Sequence, residues 1–165
     1  MITFFRIDER LIHGQVVIKW SRHTGVDRII VANDIAAGSQ IMQRSLLMAA
    51  PGHIKTAIKT VADAIELLND PRAEALKILL LVDSPEDALT IVKNVKNIPF
   101  LNIGNYGRIA REKPGKPRKS YGLNIYVDDE EYEVFRETLA MGIKCIYQTV
   151  PEEPPMDLAG VLGIK

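Results

Sequence analysis

Lys77-Ile78-Leu79-Leu80-Leu81-Val82-Asp83-Ser84-Pro85-Glu86-Asp87-Ala88 decides the fold. Lys77–Val82 is the most apolar run of the chain and has the pattern of a central strand covered on both faces. Ser84 then supplies a helix N-cap, Pro85 suits the first helical position, and Glu86 and Asp87 put acid in the first turn. Ala88, Ile91, Val92 and Val95 recur at helical spacing, and Phe100–Ile103 reads as the next strand. Strand, helix and strand in so short a span make a βαβ crossover, which joins parallel strands.

The same alternation extends both ways. Thr3–Ile7, Arg28–Ala32, Ile54–Lys59, Leu123–Val127 and Lys144–Val150 read as strands. Helices are expected over Gly14–His23, over Ala36–Ala50 with Ile41, Leu46 and Leu47 inside, after the capping sequence Thr60-Val61-Ala62-Asp63, and after Asp128-Asp129-Glu130-Glu131. A tail after Pro154-Pro155 has room for one helical turn. The expected architecture is α/β: a single domain over residues 1–165 with an open, mostly parallel sheet and helices on both faces. In such sheets ligands bind beyond the carboxyl ends of the strands. The loops after Ile7, Ala32, Val82 and Ile103 are therefore the ones to read for chemistry.

Composition sets bounds on function. Of 165 residues, 47% are hydrophobic, which supplies a core, and Lys+Arg balance Asp+Glu at 21 each. Zero formal net charge argues against a strongly basic nucleic-acid binder. The single cysteine, Cys145, excludes an intrachain disulfide and reads as a small buried hydrophobe. No Cys/His cluster has metal-ligand spacing, so no metal is expected, and no Gly-rich nucleotide fingerprint occurs, so neither is a nucleotide cofactor. No apolar run approaches bilayer length, and Met1–Arg6 lacks the build of a signal peptide. A cytoplasmic protein is expected, brought to a membrane only by a partner. The large apolar residues, Trp20 among them, are expected inside, and no dimer patch stands out.

The loop after the first strand concentrates reactive groups: Arg6-Ile7-Asp8-Glu9-Arg10-Leu11-Ile12-His13-Gly14-Gln15. A helix starting near Gly14 presents unpaired N–H groups and partial positive charge, a ready anion site. Arginine adds a charged fork for phosphate, and glycine lets backbone approach a bound group. Histidine is a nitrogen nucleophile that is partly neutral near pH 7. The set suits a histidine that accepts a phosphoryl group, although a lone histidine before a helix is more often one that only caps or packs.

The run Arg6-Ile7-Asp8-x-Arg10-Leu11-Ile12-His13-Gly14-Gln15-Val16 resembles the signature of IIB subunits of the mannose/fructose/sorbose family of the bacterial phosphoenolpyruvate-dependent sugar phosphotransferase system. Weaker agreement covers Ile30-Val31 into Asp34, Ala49-Ala50-Pro51, Asn102-Ile103-Gly104 and Val150-Pro151. The family often carries acids at the positions of Asn33 and Ser39; here Asp34 alone remains of that cluster. The resemblance implies an open α/β sheet and a protein-N(π)-phosphohistidine–sugar phosphotransferase. His13 would take a phosphoryl group from a histidine of a IIA partner and pass it to sugar entering through membrane IIC and IID subunits. The residues themselves leave open which imidazole nitrogen reacts. By the same resemblance Arg10 would hold the phosphoryl oxygens with Gly14 and Gln15, Asp8 would orient Arg10 or the imidazole, and Arg6 would be a buried ion-pair or site residue.

Other positions fit lesser roles. Asp34 and Ser84 follow strands and so reach the site mouth, although Ser84 is more simply a cap. His23 suits a helix C-terminus and His53 a turn. A receiver-like domain phosphorylated on Asp34 or Asp83 is one alternative function, and a non-catalytic module binding a phosphorylated metabolite is another. Residues 108–119 break the pattern: Arg108, Arg111, Lys113, Lys116, Arg118 and Lys119 face Glu112 alone. This basic loop reads either as a solvated segment or as a surface that docks IIA or anionic lipid.

Overall fold

The structure, a computed structural model, describes residues 1–164. The chain runs β1 (Ile2–Asp8), α1 (Val16–Thr24), β2 (Arg28–Ala32), α2 (Asp34–Ala37), α3 (Gln40–Ala49), β3 (Lys55–Lys59), α4 (Val61–Asn69), a 3-10 turn (Pro71–Ala75) and β4 (Ile78–Val82). It continues through α5 (Pro85–Asn94), β5 (Leu101–Asn105), β6 (Lys119–Tyr121), β7 (Ile125–Val127), α6 (Asp129–Ala140), β8 (Cys145–Tyr147), β9 (Met156–Asp157) and α7 (Leu158–Leu162). Seven strands form one sheet in the order β3-β2-β4-β1-β5-β8-β9, parallel except at β9.

This order creates the crevice. From β1 the chain leaves through α1 toward β2; from β4 it leaves through α5 toward β5, on the other side. The two exits diverge above the neighbouring strands β1 and β4, where an open α/β sheet binds its ligand. One face packs Phe4, Val17, Trp20, Val31, Leu46 and Leu81 under α1–α3. The other packs Phe5, Ile7, Ala64, Leu80, Ile91 and Phe135 under α4–α7. Alternation along β1 therefore aims Arg6 and Asp8, like Phe4, at the α1 side.

Three expectations change. The single helix over 36–50 is two, because Gly38 ends α2 and Ser39, extended at φ −126°, caps α3 anew by accepting from Met42 N–H. The restarted helix turns Leu46, Ala49 and Ala50 inward, so Ile41 is 82% exposed, Leu47 is 48% exposed and Met48 is 88% exposed. Ile35 in α2 is likewise exposed, at 74%. The strand at 123–127 lies outside the main sheet: β6 and β7 pair as a separate hairpin, joined to the end of β5 by a bridge at Tyr106. Finally, α1 begins at Val16, because Gly14 sits at φ 48°, outside the helical range.

Candidate functional site

The site rises from the end of β1. Cross-strand register places Arg6 beside Asn102, and its Nη1 donates to Asn102 Oδ1 at 2.6 Å. Arg6 also donates to the Gln148 and Thr149 carbonyls, both at 3.0 Å, and to Asp8 Oδ2 at 3.2 Å. Its guanidinium lies over Trp20, whose Nε1 donates to the Thr149 carbonyl at 3.1 Å. Burial lowers the Arg6 pKa and the Asp8 charge opposes this; an arginine stays cationic regardless. Arg6 is thus a buried tie between β1, β5 and the loop after β8. Gly104 belongs to the tie, because a Cβ there would fall on the Arg6 guanidinium.

Asp8 carries the tie outward. Its Oδ2 lies 2.9 Å from His13 Nε2, and its Oδ1 accepts the Arg10 backbone N–H at 3.1 Å. Burial alone would raise its carboxyl; the hydrogen bond from His13 and the charge of Arg6 outweigh this and hold it below the usual carboxylate range. An ionised carboxylate only accepts, so Nε2 is the nitrogen that donates. In a neutral imidazole the lone pair then stands on Nδ1.

Between Asp8 and α1 the chain makes a firm projection. Leu11 N–H bonds the Asp8 carbonyl at 2.9 Å, and Leu11 adopts φ 58°, an uncommon conformation for a branched residue. Leu11 and Ile12 plug into the core beside Trp20, which leaves Arg10, Gly14 and Gln15 exposed and the His13 side chain 17% exposed. Gln15 takes the N-cap position of α1, yet no side chain caps that helix. By contrast Asn33, Ser39, Thr60, Ser84 and Asp128 cap α2 through α6. The first N–H groups of α1 are thereby left open to an anion beside His13.

The remaining expected residues are structurally committed. Asp34 Oδ1 accepts Val61 N–H at 2.9 Å, and Ser84 Oγ accepts Asp87 N–H at 3.2 Å, so both act as caps after β2 and β4. Burial raises Asp83, and burial together with Asp83, Asp34 and Glu86 raises Asp87 to about 6. His23 packs its ring edge-on to Trp20. Cys145 is buried and its thiol is pushed up to about 12.

The basic loop is less free than its composition suggests. Arg118 pairs at 2.9 Å with Glu131, which is buried, accepts from the Tyr106 hydroxyl, and completes the capping box of α6 with Asp128. Lys113 and Lys116 both reach Glu130. Acids in the first turn of α6 therefore also hold the loop down. Sequence reading missed Asn102, Gly104, Trp20 and Glu9 as parts of this region. A polar Asn102 inside an apolar strand run was a usable signal; Glu9 offered none, since its partners are backbone amides.

Comparison with known proteins decides the family. The model of the "PTS system sorbose subfamily IIB component" matches residues 2–165. The chain belongs to this family of phosphotransferase-system IIB components. It is 37% identical over 164 residues to a probable phosphotransferase enzyme IIB component of Streptococcus pyogenes serotype M6, covering 99% of this chain and 100% of that one. A mannose-specific EIIAB component of Escherichia coli K12 is 30% identical across 99% of this chain and 49% of its own length. Among solved structures, the IIB domain of the sorbose permease of Klebsiella pneumoniae superposes with a TM-score of 0.89 at 29% identity, covering 99% of this chain and 96% of that one. Membership makes this IIB component part of a sugar phosphotransferase system. No helix among the described residues is long and apolar enough to cross a membrane.

Proposed function

We propose that the chain, as one IIB-type domain over residues 1–165, carries a phosphoryl group on Nδ1 of His13. The observation that carries this reading is the 2.9 Å contact between His13 Nε2 and Asp8 Oδ2, which commits one ring nitrogen as donor and leaves the other as nucleophile. In the first step the P–N bond of a phosphohistidine on a IIA partner breaks as the bond to Nδ1 forms. In the second, a sugar hydroxyl oxygen takes the phosphoryl group from Nδ1 and its proton passes to the freed imidazole or to water. The loose transition state needs positioning and positive charge rather than covalent help. The Arg10 guanidinium, exposed and without a side-chain partner among the described residues, supplies that charge together with the open amides at Gly14, Gln15 and the start of α1. Asp8 fixes the tautomer, and Arg6 fixes Asp8. Membrane IIC and IID subunits would present the sugar and recruit the protein to the membrane's inner face. Asp34 and Ser84 shape the mouth of the crevice.

Transfer of labelled phosphate from phosphoenolpyruvate through the general phosphotransferase proteins and a IIA partner tests this reading. Label that is stable in alkali, labile in acid and absent from His13→Ala is expected, with a ring spectrum of Nδ1-phosphohistidine by 15N NMR. Alkali-labile label retained in His13→Ala would favour an aspartyl phosphate on Asp34 or Asp83. A protein that never takes label, yet binds phosphorylated metabolites, would be a binding module.

A further inference from the structure

The carboxylate of Glu9, half-buried beside the phosphoryl loop, is received by a backbone turn on the far side of β5. Gly107 N–H donates to Oε2 at 3.0 Å, Arg108 N–H to Oε1 at 3.0 Å, Ile109 N–H to both oxygens at 3.2 Å, and Ala110 N–H to Oε2 at 3.2 Å. Consecutive amides converging on one anion form a cradle whose partial positive charge favours a carboxylate. Gly107 makes the turn possible: its φ is 96°, and a Cβ there would overlap the Tyr126 carbonyl.

The cradle is itself anchored. Tyr106 exchanges backbone hydrogen bonds with Asn124 and Tyr126, each at 2.8 Å. Arg118 reaches the carbonyls of Gly107 and Ala110 while pairing with Glu131. Glu9 is thus fastened to a firm part of the fold. Its chain neighbours are Asp8, fixed by Arg6, and Arg10, whose backbone N–H bonds Asp8. The Arg10 side chain has no such tether, so the backbone that carries it sets the point from which the guanidinium reaches.

We infer that Glu9 is a positioning residue: seated in the 107–110 cradle, it fixes the backbone from which Arg10 is aimed at the phosphoryl group on His13. This inference rests on the phosphoryl-carrier reading. Glu9 touches neither the phosphoryl group nor the imidazole; it acts through Arg10.

The test is a double-mutant cycle on the full-length chain. Phosphoramidate, a small donor with no docking surface, phosphorylates the protein, and the rate of His13 labelling is followed by 31P NMR for wild type, Glu9→Ala, Arg10→Ala and the double variant. Losing Arg10 is expected to slow labelling about 100-fold, as losing one transition-state donor does. Glu9→Ala is expected to slow it about tenfold alone and to add nothing once Arg10 is gone, the signature of two residues acting as one. Glu9→Gln, which keeps the size and one carbonyl acceptor, folds and gives a smaller loss of the same kind, so the test stands if Glu9→Ala unfolds. Unchanged rates in both Glu9 variants, or a loss that persists undiminished without Arg10, overturns the inference. Absence of label on wild-type His13 overturns the carrier reading instead.

Discussion

His13 and Asp8 meet at 2.9 Å through Nε2 and Oδ2, and the same Asp8 oxygen lies 3.2 Å from Arg6, whose side chain is 2% exposed. One carboxylate thus answers a buried cation on one side and orients a surface imidazole on the other. Asp8→Asn keeps the shape but removes the charge and offers the ring either an amide donor or a carbonyl. Loss of such a supporting partner is expected to slow phosphoryl uptake about 10- to 100-fold. Stability should fall by about 3 kcal/mol, because Arg6 is left buried with only neutral acceptors. Urea unfolding adds a check on sign. The native Asp8 pKa is lowered, so its contribution is full above the unfolded carboxylate value of about 4 and disappears as pH falls through the lower native value. Wild type should therefore lose its advantage over Asp8→Asn below about pH 4.

Gly104→Ala tests the tie from beneath. The added Cβ would stand on the Arg6 guanidinium, which four hydrogen-bond partners hold in place and which cannot swing aside cheaply. A cost of about 2–4 kcal/mol is expected from overpacking combined with a disturbed buried ion pair. Because Asp8 moves with Arg6, phosphoryl uptake should fall as well, although position 104 lies below the reacting atoms. Thermal unfolding and a labelling assay on one preparation measure both effects, and normal uptake in a destabilised variant would separate the tie from the chemistry.

How far the sequence could be read follows from the range of the forces involved. The strands of the central sheet were legible because strands buried on both faces must be apolar throughout, as Ile78–Val82 is. The caps at Thr60 and Ser84 were legible because their partners lie only a turn away. The break at Gly38-Ser39 was harder, since a lone Gly inside a helical pattern is often tolerated, yet here Gly38 closes α2 and the Ser39 side chain caps α3. His13, Arg10 and Asp8 were legible as one dense local motif. Asp8 apart, the partners of Arg6 and Glu9 lie 96 or more residues away and are largely backbone groups, which no side-chain pattern marks.

Asp87 offers a second pH signature, of opposite sign. Burial and the neighbouring Asp83, Asp34 and Glu86 hold its carboxyl at about 6. A carboxyl raised on folding costs stability as pH climbs from the unfolded value of about 4 through the native one, since the charged form is disfavoured only in the folded state. Asp87→Asn should therefore match wild type near pH 4 and exceed it at pH 8. The site is partly solvated, so the gain is discounted to about 1 kcal/mol. Chemical denaturation at the two pH values gives the difference directly, and equal stabilities at pH 8 would remove the acidic pressure inferred at this end of α5.

The basic loop divides into spoken-for and available charge, and the division has a kinetic consequence. Arg118 is internal to the fold, with its side chain 5% exposed and paired with Glu131; Arg118→Ala should cost about 3 kcal/mol or more. Lys113 and Lys116 are exposed and share Glu130, so replacing all three together should leave stability close to wild type and lower the net charge of the surface by only one. Arg108, Arg111 and Lys119 have no carboxylate within ion-pair distance among the described residues. The cradle that holds Glu9 places Arg108 close to the phosphoryl loop. If an acidic face of a IIA donor approaches here, removing these charges should slow phosphoryl transfer at low salt, and added salt should erase the difference, because steering is screened over about 10 Å at 0.1 M. The combined replacement of Lys113, Lys116 and Glu130 is the control. Rates for the Arg108, Arg111 and Lys119 variant that equal wild type at low salt would leave the loop as a structural strap with no part in docking.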